Sequence, residues 1–143
     1  MFAGDVVEVL GGRKVLKQKI SNAVELHERT RMGLPYKAFD SVRAALRLTR
    51  EEAATAIGLP ERTLVRRKKE KRFSAPESDK LLRLARLAAL AVEILGTEEK
   101  ASHWMKKINL ALGSRSPFTL LDTDAGAKVV EDVLWQIAYG IVS

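Results

Sequence analysis

The sequence contains no cysteine and only two histidines among its 143 residues. Disulfides and thiolate metal sites are therefore excluded. His27 and His103 lie far apart and neither has an acid at ligand spacing, so both read as ordinary helix residues rather than metal ligands. No run of about 18 uninterrupted apolar residues occurs, so no membrane-spanning helix is expected. The start, Met1-Phe-Ala-Gly-Asp5, lacks the basic region and apolar core of a secretory leader, and a cytoplasmic location is the expectation. Glycine forms no phosphate-binding loop: Gly11-Gly12 has no strand before it and no Lys-Ser/Thr after it. Asp122 and Asp124 read as turn and helix-start residues, and no nucleophile–base pair can be assigned. The chain is thus expected to be no enzyme, with no catalytic residue, metal or cofactor. Aromatics make up only 6% of the sequence, and Trp104, Phe118 and Trp135 read first as core.

What is present is apolar residue in quantity and charge in an uneven distribution. An apolar fraction of 46% suffices for a core, and the length suits one domain of ordinary size or two very small ones. The net charge of +7 favours a polyanionic partner. Residues 61–72 carry seven bases (Arg62, Arg66, Arg67, Lys68, Lys69, Lys71, Arg72) against Glu61 and Glu70. Residues 117–143 carry Lys128 against Asp122, Asp124, Glu131 and Asp132. This asymmetry points to two surfaces with two tasks.

No convincing strand, repeat or low-complexity tract appears, so the expected fold class is all-α. Val6–Leu10 is too short to assign to helix or strand. From Arg13 to Arg31 apolar residues fall roughly at helical spacing (Val15, Leu16, Ile20, Val24, Leu26), with Ser21-Asn22 able to break the run and cap a helix near Ala23. Gly33-Leu34-Pro35 stops one helix and starts another, which carries Tyr36, Phe39, Val42 and Leu46. Thr49 and Glu52 have capping-box spacing for a helix from Arg50 to Ile57. Gly58 closes that helix and Pro60 opens the next. Ser78 is expected to cap a long helix, Asp79 to Leu95, apolar nearly all round, which makes it either a central scaffold or a dimer contact. A helix over 98–112 is expected to turn Ala101, Trp104, Met105, Ile108 and Leu112 inward. Thr123 caps a last helix, Asp124 to Tyr139, with Val130, Val133, Leu134 and Ile137 as its apolar stripe.

The most informative segment is Thr49–Arg72. A short Ala-rich helix, a Gly-containing turn and a basic helix form the pattern of a helix-turn-helix, whose second helix enters the DNA major groove. Glu61, Arg62, Thr63, Arg66 and Arg67 are the candidate base and phosphate contacts, and Lys68 and Lys69 extend the basic run. The pairs Arg62/Arg66 and Thr63/Arg67 are each spaced to share an exposed face, with Leu64 and Val65 turned inward. The bland alternative is a solvated charged helix. At the other end, Trp135-Gln-Ile-Ala-Tyr-Gly-Ile-Val-Ser143 is unusually apolar for a terminus. It either packs on its own domain or enters a partner's pocket.

In order, Gly33-Leu34-Pro35, Leu48-Thr49, Ala54, Gly58-Leu59-Pro60-Glu61-Arg62-Thr63-Leu64, Arg66-Arg67, Glu77-Ser78-Asp79, Leu82 and Leu84 resemble the N-terminal part of Xre-family antitoxins from RES–Xre toxin–antitoxin pairs. Ala101-Ser102-His103-Trp104, Asn109-Leu110-Ala111-Leu112-Gly113, Ser116-Pro117-Phe118-Thr119-Leu120-Leu121-Asp122-Thr123, Gly126-Ala127, Val130, Leu134 and Ile137-Ala138-Tyr139-Gly140 resemble the family's Xre/MbcA/ParS toxin-binding domain. Met105 and Phe118 are small departures from the pattern.

The resemblance implies an Xre/Cro-like helix-turn-helix domain over 1–76, a connecting or dimerising helix over 77–96 and a helical toxin-binding domain over 97–143. It implies neutralisation of a RES-type toxin that consumes NAD⁺, by covering its active-site entrance. It also implies homodimerisation and binding of the operon's own promoter. It marks Trp135, Tyr139, Gly140, Ile141, Val142 and Ser143 as toxin contacts, with operator DNA the second partner. The rival expectation is a stand-alone repressor whose C-terminal half only dimerises.

Overall fold

The computed structural model describes residues 3–140. These form α1 (Ala3–Val9), α2 (Gly12–Leu16), α3 (Ala23–Arg31), α4 (Tyr36–Ala45), α5 (Arg50–Ile57), α6 (Glu61–Glu70), α7 (Ala75–Leu95), α8 (Glu98–Lys106) and α9 (Asp124–Ala138). Two 3₁₀ turns, Leu110–Leu112 and Pro117–Leu120, lie between α8 and α9. Among the described residues there is no sheet, only two isolated antiparallel bridges, Pro35–Arg72 and Asn109–Arg115. The fold is all-α.

The architecture is organised on α7, which packs against α1, α3, α4, α5, α8 and α9. Leu81, Leu84, Ala85, Ala88 and Ala91 are buried on one side of it, and Leu82, Leu87 and Leu90 on another. Alanines on the inward faces let neighbouring helices come close, while the leucines supply apolar area. The helix is therefore the scaffold of this chain's own core. Truncating a buried leucine such as Leu81 would cost about 2–5 kcal/mol.

Several local expectations needed correction. The cap of α7 is Ser74, not Ser78: the Ser74 hydroxyl accepts from the Glu77 N–H and the Glu77 carboxylate accepts from the Ser74 N–H, a capping box. Ser78 is instead buried and accepts a 2.7 Å hydrogen bond from the Leu34 N–H, fixing α7 to the α3–α4 corner. The helix expected over 98–112 ends at Lys106, because Lys107 turns extended and the Asn109 side chain accepts from the Ala111 N–H. Ile108 is consequently exposed rather than inward. The expected helix from Arg13 stops at Lys17, in left-handed conformation, and Val24 on α3 faces solvent.

Other expectations hold. Asn22 caps α3 through the Glu25 N–H, and Thr123 caps α9 through the Gly126 N–H. Gly126 has a further role: a Cβ there would lie 1.9 Å from the Leu120 carbonyl oxygen, so only glycine lets α9 start against the preceding 3₁₀ turn. Arg83 on α7 fastens this junction by donating to the Leu121 carbonyl (3.0 Å) and to Asp124 (2.6 Å). Lys106 on α8 donates to the Arg47 carbonyl and lies 3.9 Å from Glu52 on α5, tying the C-terminal helices to the N-terminal ones.

Candidate DNA-binding and partner-binding surfaces

The first surface is built from α5, its turn and α6. Thr49 and Glu52 form the expected capping box, with bonds of 2.8 and 3.0 Å. Ala53, Ala54, Ala56 and Ile57 bury the inner face of α5. Gly58 closes the helix at φ 69°, a conformation that costs other residues strain. Pro60 then caps α6 from an extended backbone.

Three anchors orient α6. Leu64 is fully buried beneath its first turns. At its far end, Phe73 is buried against Tyr36 and Phe39, with ring centroids 5.6 and 6.3 Å away. The backbone there pairs with the start of α4: the Tyr36 N–H donates to Lys71 and the Phe73 N–H donates to Leu34. Gly33 makes room, since a Cβ would meet the Phe73 carbonyl oxygen at 2.4 Å.

The third anchor is Arg67. Its guanidinium donates to both carboxylate oxygens of Glu77 (2.6 and 3.0 Å) and to Glu70 (2.5 Å). These hydrogen bonds raise its pKa further. Burial opposes ionisation of Glu77, but hydrogen bonds from Arg67 and Ser74 outweigh it and hold that carboxyl below its ordinary value. Glu77 thus caps α7 and clasps α6 at once.

This arrangement divides the expected contact residues. Glu61, Arg62, Arg66, Lys68 and Lys69 are exposed, with Glu61 drawn toward Arg50 at 4.0 Å. Thr63 is buried beside Leu64, and Arg67 is turned to α7, so the expected exposed Thr63/Arg67 pair does not form. Their positions belong to the inward arc of α6. Val65, expected inward, is 47% exposed at the middle of the outward arc. The outward face is therefore Glu61, Arg62, Val65, Arg66 and Lys69, at helical spacings of three and four. Arginines there can donate bidentately to guanine, Lys69 can meet phosphate, and an apolar side chain can contact a thymine methyl.

The second surface is on the C-terminal elements. Val130, Val133 and Leu134 bury one face of α9. On the other side Trp135 and Tyr139 stack, with centroids 6.1 Å apart, Trp135 38% and Tyr139 74% exposed. Trp135 also forms part of the wall of a groove between α3, α7 and α9, with Leu82, Leu90 and Ala127 among its apolar lining. Gly140 follows at φ 72°. Ile141, Val142 and Ser143, also expected as toxin contacts, lie outside the described residues.

No group of three or more His, Asp or Glu side chains able to hold a metal occurs among the described residues, and none of the described helices is long and apolar enough to cross a membrane. Trp104 and Phe118 are partly buried against the core, while His27 and His103 are exposed.

Two family descriptions match the two halves. Residues 25–86 match the Antitoxin Xre-like helix-turn-helix domain, and residues 90–140 match the Antitoxin Xre/MbcA/ParS C-terminal toxin-binding domain. The first ends and the second begins within α7. A protein named Antitoxin Xre from Yersinia enterocolitica is 33% identical over 125 residues, covering 86% of this chain and 84% of the relative. Another Antitoxin Xre, from Photorhabdus laumondii, is 33% identical over 113 residues, covering 78% and 76%. A third, from Pseudomonas putida, is 35% identical over 83 residues, covering 57% and 52%. With a helix-turn-helix domain on one side of α7 and a toxin-binding domain on the other, this chain belongs to the Xre antitoxin family, which is not a family of enzymes.

Proposed function

We propose that this antitoxin neutralises a RES-type, NAD⁺-consuming toxin by covering the entrance to the toxin's active site, and that it represses its own operon through α6. The observation that carries the first part is the exposed Trp135–Tyr139 stack at the end of α9, inside the region matching the toxin-binding domain. An aromatic pair of this kind supplies large, rigid apolar area for a partner at low entropic cost. Steric occlusion needs no chemistry from this chain; the reaction belongs to the partner. Trp135, Tyr139 and the tail Gly140 to Ser143 are the proposed contacts.

The DNA-binding part draws on the outward face of α6. Arg62, Arg66, Lys68 and Lys69 offer counter-charge for phosphates, and Arg62, Val65 and Arg66 are free to face base edges. We further propose a homodimer, since two copies would read two operator half-sites, and a cytoplasmic location, where operator and toxin are both encountered. In this division residues 1–76 bind DNA, 77–96 connect, and 97–143 bind toxin.

The test is purification of the chain together with the RES-type protein encoded beside it. A stable complex in which NAD⁺ consumption is suppressed is the expected result. Free toxin activity in the presence of excess folded antitoxin would overturn the neutralising role and leave a repressor whose C-terminal half serves another purpose.

A further inference from the structure

A second basic face lies apart from α6. Between Glu8 and Glu25 the sequence has four bases, Arg13, Lys14, Lys17 and Lys19, and no acid. All four are exposed, on α2 and the turn that follows it. The Lys17 N–H donates to the Arg13 carbonyl at 2.9 Å, so these two residues stand one helical turn apart on one side of α2. Val15 is half-buried and Leu16 is buried, which leaves polar tips outward. These residues precede the stretch 25–86 that matches the helix-turn-helix domain.

The fold joins this face to the end of α6, and Arg29 on α3 is the link. Its Nε donates to the Leu16 carbonyl at 3.2 Å, beside Lys17, and its Nη1 donates to the Gly33 carbonyl at 2.6 Å. Gly33 in turn lies against Arg72, since a Cβ there would meet the Arg72 Cγ and Cδ at 3.2 Å. Burial first, and the positive charge of Arg72 second, lower the pKa of Arg29 from its ordinary value. Positive charge therefore continues from Lys69 and Arg72 through Arg29 to Lys17 and Arg13. Among the described residues no carboxylate pairs with Arg13, Lys14, Lys17, Lys19, Arg29 or Arg72. Of the nearby acids, Glu70 is held by Arg67, Asp40 faces Arg43 at 3.8 Å and Glu25 accepts from the Ser21 N–H. Glu8 lies at the start of α2 and Glu28 is exposed on α3. Two carboxylates leave the sign of the band unchanged.

Continuity selects the occupant. The band prolongs the basic run of the helix-turn-helix's second helix, so DNA seated on α6 has flanking phosphates beside its far end. Phosphates need only counter-charge, whereas a protein partner draws on aromatic or aliphatic anchors. Met32, exposed at the end of α3, is a lone apolar group, and such groups are ordinary on any surface.

We propose that Arg13, Lys14, Lys17 and Lys19 form a second contact with DNA, to backbone phosphates flanking the bases that α6 reads. This rests on the reading of α6 as the DNA-binding helix. It adds affinity and a longer footprint but no sequence preference.

The experiment uses the full chain and a duplex that it selects from a random-sequence pool, both with long flanks and cut back to the selected core. Arg13→Gln with Lys17→Gln removes two charges; Lys100→Gln with Lys107→Gln removes two exposed charges from the other half of the chain. On the long duplex the α2 variant is expected to bind about 10-fold more weakly at physiological salt, and its slope of log affinity against log salt to be shallower by about 2. The Lys100, Lys107 variant should stay close to wild type. On the cut-back duplex the deficit of the α2 variant should disappear. Arg13→Lys with Lys17→Arg keeps both charges and should keep wild-type affinity, which with unchanged melting curves separates lost charge from lost folding. Equal affinity and slope for wild type and the α2 variant on the long duplex would overturn the proposal. So would an equal loss in both charge-removing variants, a deficit undiminished on the cut-back duplex, or a deficit confined to binding of the proposed toxin partner. If the wild type selects no DNA, the reading of α6 fails and the proposal with it. If it selects DNA and Arg62→Ala with Arg66→Ala abolishes that binding, the reading of α6 stands whatever the α2 variant does.

Discussion

The two ends of the molecule solve the presentation of a surface differently. On α6 the inward arc holds the helix in place with Leu64, Thr63 and the Arg67–Glu77 clasp, leaving a short basic arc outside. On the C-terminal elements the outward groups are apolar or aromatic: Ile108 and Leu110 on a hydrogen-bonded loop, Trp135 and Tyr139 on α9. The first suits a polyanion, whose recognition is salt-dependent. The second suits a protein surface, where desolvated aromatic and aliphatic anchors dominate. Both are mounted on α7, so a change that damages the scaffold harms both, whereas a change to an outward side chain harms one.

The largest effect expected from breaking one surface alone is at Arg62 and Arg66. Their joint replacement by alanine should weaken operator binding by about 100-fold or more, at about 1–3 kcal/mol for each lost bidentate contact, with no loss of thermal stability. Gel shifts beside a melting curve check this; equal affinity in the double variant would remove α6 from the DNA interface.

A smaller effect is expected at the α9 junction. Gly126→Ala forces a Cβ toward the Leu120 carbonyl oxygen and should lower stability by about 1–3 kcal/mol. Denaturant unfolding measures it. Toxin affinity should suffer before operator affinity, since the displaced helix carries Trp135; the reverse order would contradict the assignment of surfaces.

Smaller still is the contribution of Val65. Replacing individual operator thymines by uracil removes only the 5-methyl group. At the base Val65 meets, wild-type binding should fall about 4-fold, roughly the worth of one buried methyl, whereas Val65→Ala should show no such preference. A wild type indifferent to uracil at every position would return Val65 to the class of incidental exposed residues.

The subtlest test concerns Glu77. Its folded pKa lies below the ordinary carboxyl value of 4.5, so its stabilising contribution is present above that value and is lost as pH falls through the lowered folded one. Melting temperature followed downward in pH should drop less steeply in Glu77→Gln than in wild type. Parallel profiles would mean that the clasp contributes nothing through its charge.

The all-α class, the Thr49 and Thr123 caps and the Gly58 turn were legible in the sequence because each is decided within a few residues. The helix-turn-helix was legible for the same reason, as a Gly between two short helices of contrasting charge. Ser78 was misread because its partner, Leu34, is 44 positions away, although Ser74 and Glu77 carried the capping-box spacing all along. Thr63, Val65 and Arg67 were misassigned because α6 carries one dominant apolar anchor, too few to define the helix phase. Only the packing against α7, with Glu77 ten residues beyond Arg67, fixes which arc is outward. Ile108 and Leu110 were hidden for a related reason: spacing alone continued α8, whereas the Asn109–Arg115 bridge ends it.

The claim that the two surfaces act separately is tested most directly by inhibition of the NAD⁺ consumption of the proposed RES-type partner by the Arg62→Ala, Arg66→Ala protein. Inhibition equal to that of the wild type, in a protein that no longer binds the operator, is the expected result. Loss of inhibition in the folded double variant would contradict it.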